Sequence, residues 1–236
     1  MKLSIIIPIR NEESLIKKVI EQLQAKLKSL NYEIIFVNDF SADNTLQITK
    51  ELIENLPRIS IYENDRKGLG GAIIQGINKS TGEAVCIMMS DLSDSIDDLE
   101  TYYNIIKNEN VDAVFGSRFI DGSKVVDYPK KKLILNRIFN FITKLLFFSD
   151  YNDFTNAFKI YKKDALLKTF PLVSESFNIF LELPLKIISR KMKYKIIPIS
   201  WVNRKEGISK FDIKELRAKY LFTLIYCLFE KLLLRK

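Results

Sequence analysis

Histidine is absent from all 236 residues. That excludes His-based triads, His-ligated metals and a histidine general base. Cysteine is nearly as scarce: Cys86 falls in an apolar strand pattern and Cys227 in a C-terminal apolar run, with no disulfide or zinc spacing. A reducing, cytosolic setting is expected. With six prolines and eight glycines there is no linker-like stretch, so the second half of the chain is expected to be built into the first. Repeats and low-complexity segments are also missing. Met1 leads straight into a strand pattern, so no signal peptide is expected. The longest charge-free C-terminal run, residues 220–229, covers only about 15 Å as a helix, against about 30 Å for a bilayer core.

Hydrophobic side chains make up 47% of the chain and the formal net charge is +8. One domain with a substantial core is expected at a prior of ~150 residues per domain. The basic balance favours an anionic partner such as a nucleotide, a lipid phosphate or a membrane surface. Nucleic acid is not expected, because the basic residues form no recognisable module. Apolar strand runs at 3–8, 34–37, 59–62, 84–89 and 113–115 alternate with helical patterns after Leu15, at 46–56, after Gly70 and at 96–107. That alternation predicts an α/β fold with a mostly parallel sheet and helices on both faces.

In such a sheet, ligands bind beyond the carboxyl ends of the strands. Two strand ends carry polar text: Pro8-Ile9-Arg10-Asn11-Glu12 and Val37-Asn38-Asp39-Phe40-Ser41-Ala42-Asp43. Asp39 is placed to accept hydrogen bonds from a nucleotide base or ribose, whereas Asp43 reads as a turn and helix-capping residue. Arg66-Lys67-Gly68-Leu69-Gly70-Gly71 follows the third strand. Its glycines allow close backbone approach to a ligand, although Ile73 breaks a dinucleotide fingerprint.

Together, Ser-Ile-Ile-Ile-Pro-x-x-Asn-Glu-Glu and Val-Asn-Asp-x-Ser-x-Asp-x-Thr resemble the nucleotide-binding half of the family-2 glycosyltransferases, and within them the dolichol-phosphate mannosyltransferase and polyprenyl-phosphate branch. The resemblance runs from Lys2 to about Ser209. It implies a GT-A fold over residues 1–212, with a nucleotide-binding half (1–117) and an acceptor half (118–212). Residues 213–236 would then be an apolar, basic helix at the membrane. It further implies a UDP- or GDP-linked sugar donor held by Pro8, Arg10, Glu12, Val37, Asp39, Arg66, Gly70, Met89, Ser90, Asp91 and Lys210. The family's metal motif is altered: Met89 replaces its first aspartate, Asp91 matches its second, and Ser93 stands where glutamine is common. Mg²⁺ or Mn²⁺ would rest on Asp91 and Ser93, and a thioether is a poor ligand for such hard ions. Asp94 is expected to cap the helix from Ile96.

The likeness continues through Gly116-Ser117-Arg118, then Pro129, Lys132, Asn136 and Arg137, then Asp153-Phe154-Thr155-Asn156-Ala157-Phe158-Lys159, and last Arg204-x-x-Gly207-x-Ser209-Lys210. It implies that Arg118, Lys132, Asn136 and Arg204 meet the acceptor phosphate. Asp91, Arg118 and Arg204 are its candidates for catalysis. An ionised lipid phosphate attacking the anomeric carbon needs no strong base, only alignment and neutralisation of the leaving diphosphate. A saccharide hydroxyl acceptor, as in cell-surface glycan assembly, would need a base, for which Glu182 and Asp153 are the candidates. A nucleotide-sugar-binding protein without turnover is the third reading. The basic, aromatic-rich stretch 133–148 and the C-terminal run suit peripheral contact with the inner membrane face. Either segment could instead be a core or homo-oligomer helix.

Overall fold

In the computed structural model, residues 1–203 and 213–234 are described. The strands are β1 (Leu3–Ile9), β2 (Tyr32–Asn38), β3 (Ile59–Glu63), β4 (Ala84–Ile87), β5 (Ala113–Ser117), β6 (Lys124–Val126), β7 (Lys159–Lys162), β8 (Tyr194–Pro198) and β9 (Ser200–Val202). The helices are α1 (Ile16–Lys26), α2 (Thr45–Ile53), α3 (Leu69–Lys79), α4 (Ile96–Asn108), α5 (Lys130–Phe147), α6 (Lys163–Leu167), α7 (Ile179–Ser189) and α8 (Ile213–Leu233).

Seven strands form one sheet in the order β3-β2-β1-β4-β7-β5-β8. All neighbours are parallel except β7, which runs antiparallel between β4 and β5. The sheet therefore joins strands from both halves of the chain. Every residue of β1 is buried, as a strand covered on both faces requires. Period-two alternation divides it: Ile5, Ile7 and Ile9 enter one core layer with α1 and α4, while Ile6 enters the other with α3 and α7. The second layer extends to Leu224 and Cys227 of α8. Strands β6 and β9 make a separate parallel pair.

A buried ionic cluster attaches α8 to this body. Glu182 and Lys186, one turn apart on α7, lie 3.1 Å from each other and are inaccessible to solvent. Lys186 also lies 3.5 Å from Glu230 of α8 and donates to the carbonyl of Pro171. Arg190 pairs with the other oxygen of Glu230. Removing the cation from such a cluster leaves carboxylates buried without their partner. Lys186→Met should cost about 3–5 kcal/mol in chemical denaturation; a loss under about 1 kcal/mol would show that the carboxylates do not depend on it.

Candidate active site

The parallel β1–β2 pair brings both strand ends to one rim. There the Asp39 amide donates to the Ile9 carbonyl at 2.8 Å, the Asn11 amide to Ser41 Oγ at 3.0 Å, and the Glu12 amide to Thr45 Oγ1 at 2.8 Å. Pro8 and Val37 pair across the strands and form a buried floor. Asp39 is buried and lies at the centre of the rim. Its Oδ1 accepts from the Gly68 amide at 2.7 Å and Asn64 Nδ2 at 2.9 Å; its Oδ2 lies 3.7 Å from Arg10 Nη1. Asp43 accepts from the amide and hydroxyl of Thr45, which holds the turn into α2.

Gly70 plays a part other than opening space for a ligand. A Cβ there would lie 2.0 Å from the Ser174 carbonyl oxygen, and its amide donates to the Glu175 carbonyl at 3.0 Å. The glycine admits a second backbone segment, which Arg66 also grips through a 2.6 Å ion pair with Glu175. That segment is fixed from behind by Glu182, which accepts the amides of Val173 and Ser174. Glu182, a candidate base in the sequence, is thus fully engaged away from the rim and cannot take a proton from an acceptor.

Strand β4 ends at Ile87, two residues before the expected limit. Met89 packs against the second core layer, and Ser90 and Ser93 are buried. Asp91 Oδ1 accepts from the Ser93 amide at 3.0 Å. Residues 93–95 are stitched to β9 through Val202 N–H to Ser93 O at 2.9 Å and Ser95 N–H to Ser200 O at 3.2 Å. This pairing overturns the capping role for Asp94. The N-cap of α4 is Ser95, without a side-chain cap bond, while the Asp94 carboxyl points inward and its Oδ1 is buried without a hydrogen-bond partner. Burial, then the neighbouring Asp91, push its pKa up to about 7, against the pull of Arg118 and Lys159. Lys159, engaged with the carbonyls of Phe154 and Asn156, is itself drawn down to about 7 by burial, with Asp153 opposing.

At the end of β5, Arg118 forms a bidentate pair with Asp153, Nε to Oδ2 at 2.8 Å and Nη2 to Oδ1 at 2.7 Å. Burial opposes its charge, but Asp153 more than compensates and raises its pKa. The guanidinium carbon lies 5.4 Å from the Phe119 and Tyr128 rings and 5.6 Å from Trp201. Asp153 is thereby committed to Arg118 and is no free base. Asn136, on α5, faces Tyr128 and Thr155. Lys132 is exposed on the first turn of α5. Arg204 and Lys210 lie outside the described residues. Sequence reasoning missed Tyr128 and Trp201, although the single tryptophan immediately before the Arg204 segment was a signal. A cavity of about 430 Å³ lies at the opposite, amino ends of β1–β3, lined by Lys2, Glu33, Arg58 and Lys79 among others. Its Lys2 is held by Glu33, and Arg58 and Lys79 lie over tyrosine rings.

Residues 4–170 match the family model described as glycosyl transferase family 2. The chain belongs to this family. It has the GT-A fold. Over 216 residues it is 28% identical to a dolichol-phosphate mannosyltransferase of Pyrococcus furiosus, covering 91% of this chain and 60% of that protein. It is 32% identical over 179 residues to a UDP-N-acetylglucosamine–dolichyl-phosphate N-acetylglucosaminyltransferase of Methanococcus voltae, covering 69% and 70%. The chain thus spans less than two thirds of the first of these relatives. Among solved structures, glucosyl-3-phosphoglycerate synthase of Mycobacterium tuberculosis, in complex with Mn²⁺, UDP-glucose and phosphoglyceric acid, superposes with a TM-score of 0.70 at 14% identity, covering 96% of this chain and 79% of that one.

That neighbour is in complex with Mn²⁺. Here, no three His, Cys, Asp or Glu side chains gather to hold an ion among the described residues. Asp91 and Ser93 fit only an ion whose remaining oxygens come from a diphosphate.

The Asp94 environment yields a pH test. Because the folded state holds the Asp94 proton more tightly than the unfolded chain, its contribution is full below pH about 4. It is lost as pH rises through about 7. Asp94→Asn mimics the protonated form and should gain on the wild type progressively from pH about 4 to about 7, levelling off above that, in urea melts. A difference that stays flat across that range would show an ordinary carboxyl.

Proposed function

We propose that this glycosyltransferase moves a sugar from a UDP- or GDP-linked donor to a polyprenyl phosphate at a membrane surface, with inversion. The observation that carries the reading is a juxtaposition. The cationic, aromatic cluster around Arg118 meets the start of α5, whose outer stripe is apolar and uncovered. Ile134, Leu135, Ile138, Phe141, Ile142, Leu145 and Leu146 recur along one face of that helix, all exposed. A matching stripe on α8 exposes Leu221, Phe222, Ile225, Phe229, Leu232 and Leu233. Contiguous apolar surface of this extent marks an interaction site. Lys130, Lys131 and Arg137, all exposed, suit an anionic headgroup layer. Among the described residues no helix is long and apolar enough to cross a membrane, so contact would be peripheral.

The donor would sit on the rim around Asp39, its base and ribose facing the Asp39 and Glu12 side and its diphosphate toward Asp91. When bound, Mg²⁺ or Mn²⁺ held by Asp91 and Ser93 would supply positive charge to the departing diphosphate. An acceptor phosphate oxygen attacks the anomeric carbon as the bond to the nucleotide diphosphate breaks, and no proton need be removed. A hydroxyl acceptor is less well served: Asp153 is tied to Arg118 and Glu182 to Val173, Ser174 and Lys186.

Incubation with radiolabelled UDP- and GDP-sugars and a short polyprenyl phosphate, with and without Mg²⁺ or Mn²⁺, should give organic-extractable label. Label appearing only in a saccharide would favour the hydroxyl acceptor, and nucleotide binding without transfer would favour a protein lacking turnover. The membrane part has its own test. The double variant Phe141→Asp with Phe229→Asp should bind vesicles of mixed anionic and zwitterionic lipid at least roughly tenfold more weakly, with nucleotide affinity retained. Equal sedimentation of variant and wild type would remove α5 and α8 as the contact.

A further inference from the structure

The side chains around Arg118 are unequally committed. One edge of its guanidinium, Nε and Nη2, is taken by Asp153. Asn136 is saturated: its Nδ2 donates to Tyr128 Oη at 2.8 Å and to Thr155 Oγ1 at 3.0 Å. Its Oδ1 accepts from the Thr155 hydroxyl at 3.2 Å and from the Asn140 amide. Asn140 in turn is fixed by the Phe154 amide at 2.6 Å. This web sets one proton apart. The Tyr128 oxygen receives the Asn136 bond, and among the described residues its own O–H meets no acceptor.

Tyr128 is also rigid. Its ring packs on Trp201 at 4.9 Å between centroids and lies against the Arg118 guanidinium. A half-buried phenol held this firmly is a pre-oriented donor, and hydrogen bonds to a charged acceptor are the stronger kind. We infer that Tyr128 binds the acceptor: its hydroxyl donates to the acceptor's phosphate oxyanion beside Arg118, while Asn136 acts behind it by fixing the hydroxyl's direction. The assignment rests on the lipid-phosphate reading above and gives that acceptor a neutral donor which no motif marks.

Tyr128→Phe keeps the ring and its packing on Trp201 and Arg118 and removes the hydroxyl, leaving Asn136 Nδ2 its bond to Thr155. With polyprenyl phosphate as acceptor, its acceptor KM should rise by roughly ten- to a hundredfold, with nucleotide affinity by calorimetry and thermal midpoint close to wild type. A merely structural role would lower the midpoint or weaken donor and acceptor together. An acceptor KM within twofold of wild type, in an enzyme that does label polyprenyl phosphate, overturns the Tyr128 assignment and leaves the lipid-phosphate reading standing. Failure of the wild type itself to label any lipid phosphate overturns both.

Discussion

The pairing of Arg118 with Asp153 is the constraint on which the acceptor half is organised. Arg118 closes β5 and Asp153 lies in the turn leading to β7, so their bidentate contact closes the gap between two neighbouring strands of opposite direction. Both side chains are buried, which makes the pair costly to break from one side even if its net contribution is small. Once fixed, the guanidinium presents a flat cation on which Phe119, Tyr128 and Trp201 assemble. The same turn carries Thr155, which fixes Asn136, and the carbonyls of Phe154 and Asn156, which Lys159 of β7 engages. A residue that looks like a phosphate ligand in the sequence is first a structural keystone.

The donor half is held by a different chain of contacts that reaches back to the C-terminal helix. Asp39 grips the Gly68 amide, and the Gly68–Gly70 turn lies against the backbone of Ser174 and Glu175. Glu182 holds that segment by its amides, Lys186 holds Glu182, and Glu230 on α8 holds Lys186. The helix bearing one of the two exposed apolar stripes is thus joined by packed polar contacts to the wall of the proposed donor site. Such a connection makes the α8 position matter for the geometry of that wall without requiring any residue of α8 to touch a nucleotide.

Much of this was legible in the sequence because it depends on local pattern. The β1 run, the Asp39 strand end and the alternation of strands with helices all follow from periodicity and turn chemistry, and the boundaries of β1 and β3 shift by one residue only. What was not legible depends on distant partners. Asp94 stands in text that spells a helix start, and its inward turn follows from pairing with β9 far along the chain. Glu182 and Lys186 have the i, i+4 spacing of a surface ion pair. Only the apolar residues on every side of them, Phe180-Leu181 and Leu183-Pro184-Leu185, signalled a helix buried all round. The glycines after Arg66 were ambiguous for the same reason, since close approach does not say to what.

The distribution of commitments within the site bears on its chemistry. Of the two carboxylates nominated as bases, one neutralises a guanidinium and the other anchors a loop; Asp94, the third buried nearby, is pushed toward its neutral form by burial and by Asp91. A site arranged in this way is poorly supplied with proton acceptors at neutral pH. Its guanidinium groups are each set against a carboxylate, Arg118 against Asp153, Arg10 against Asp39 and Arg66 against Glu175. The proposed transfer to a lipid phosphate is compatible with few proton acceptors, because both nucleophile and leaving group would be anions and the developing charge would be moved rather than created. Met89, which stands where the resembled family has an aspartate, packs against the second core layer instead, so a divalent ion would depend on Asp91, Ser93 and the diphosphate's own oxygens.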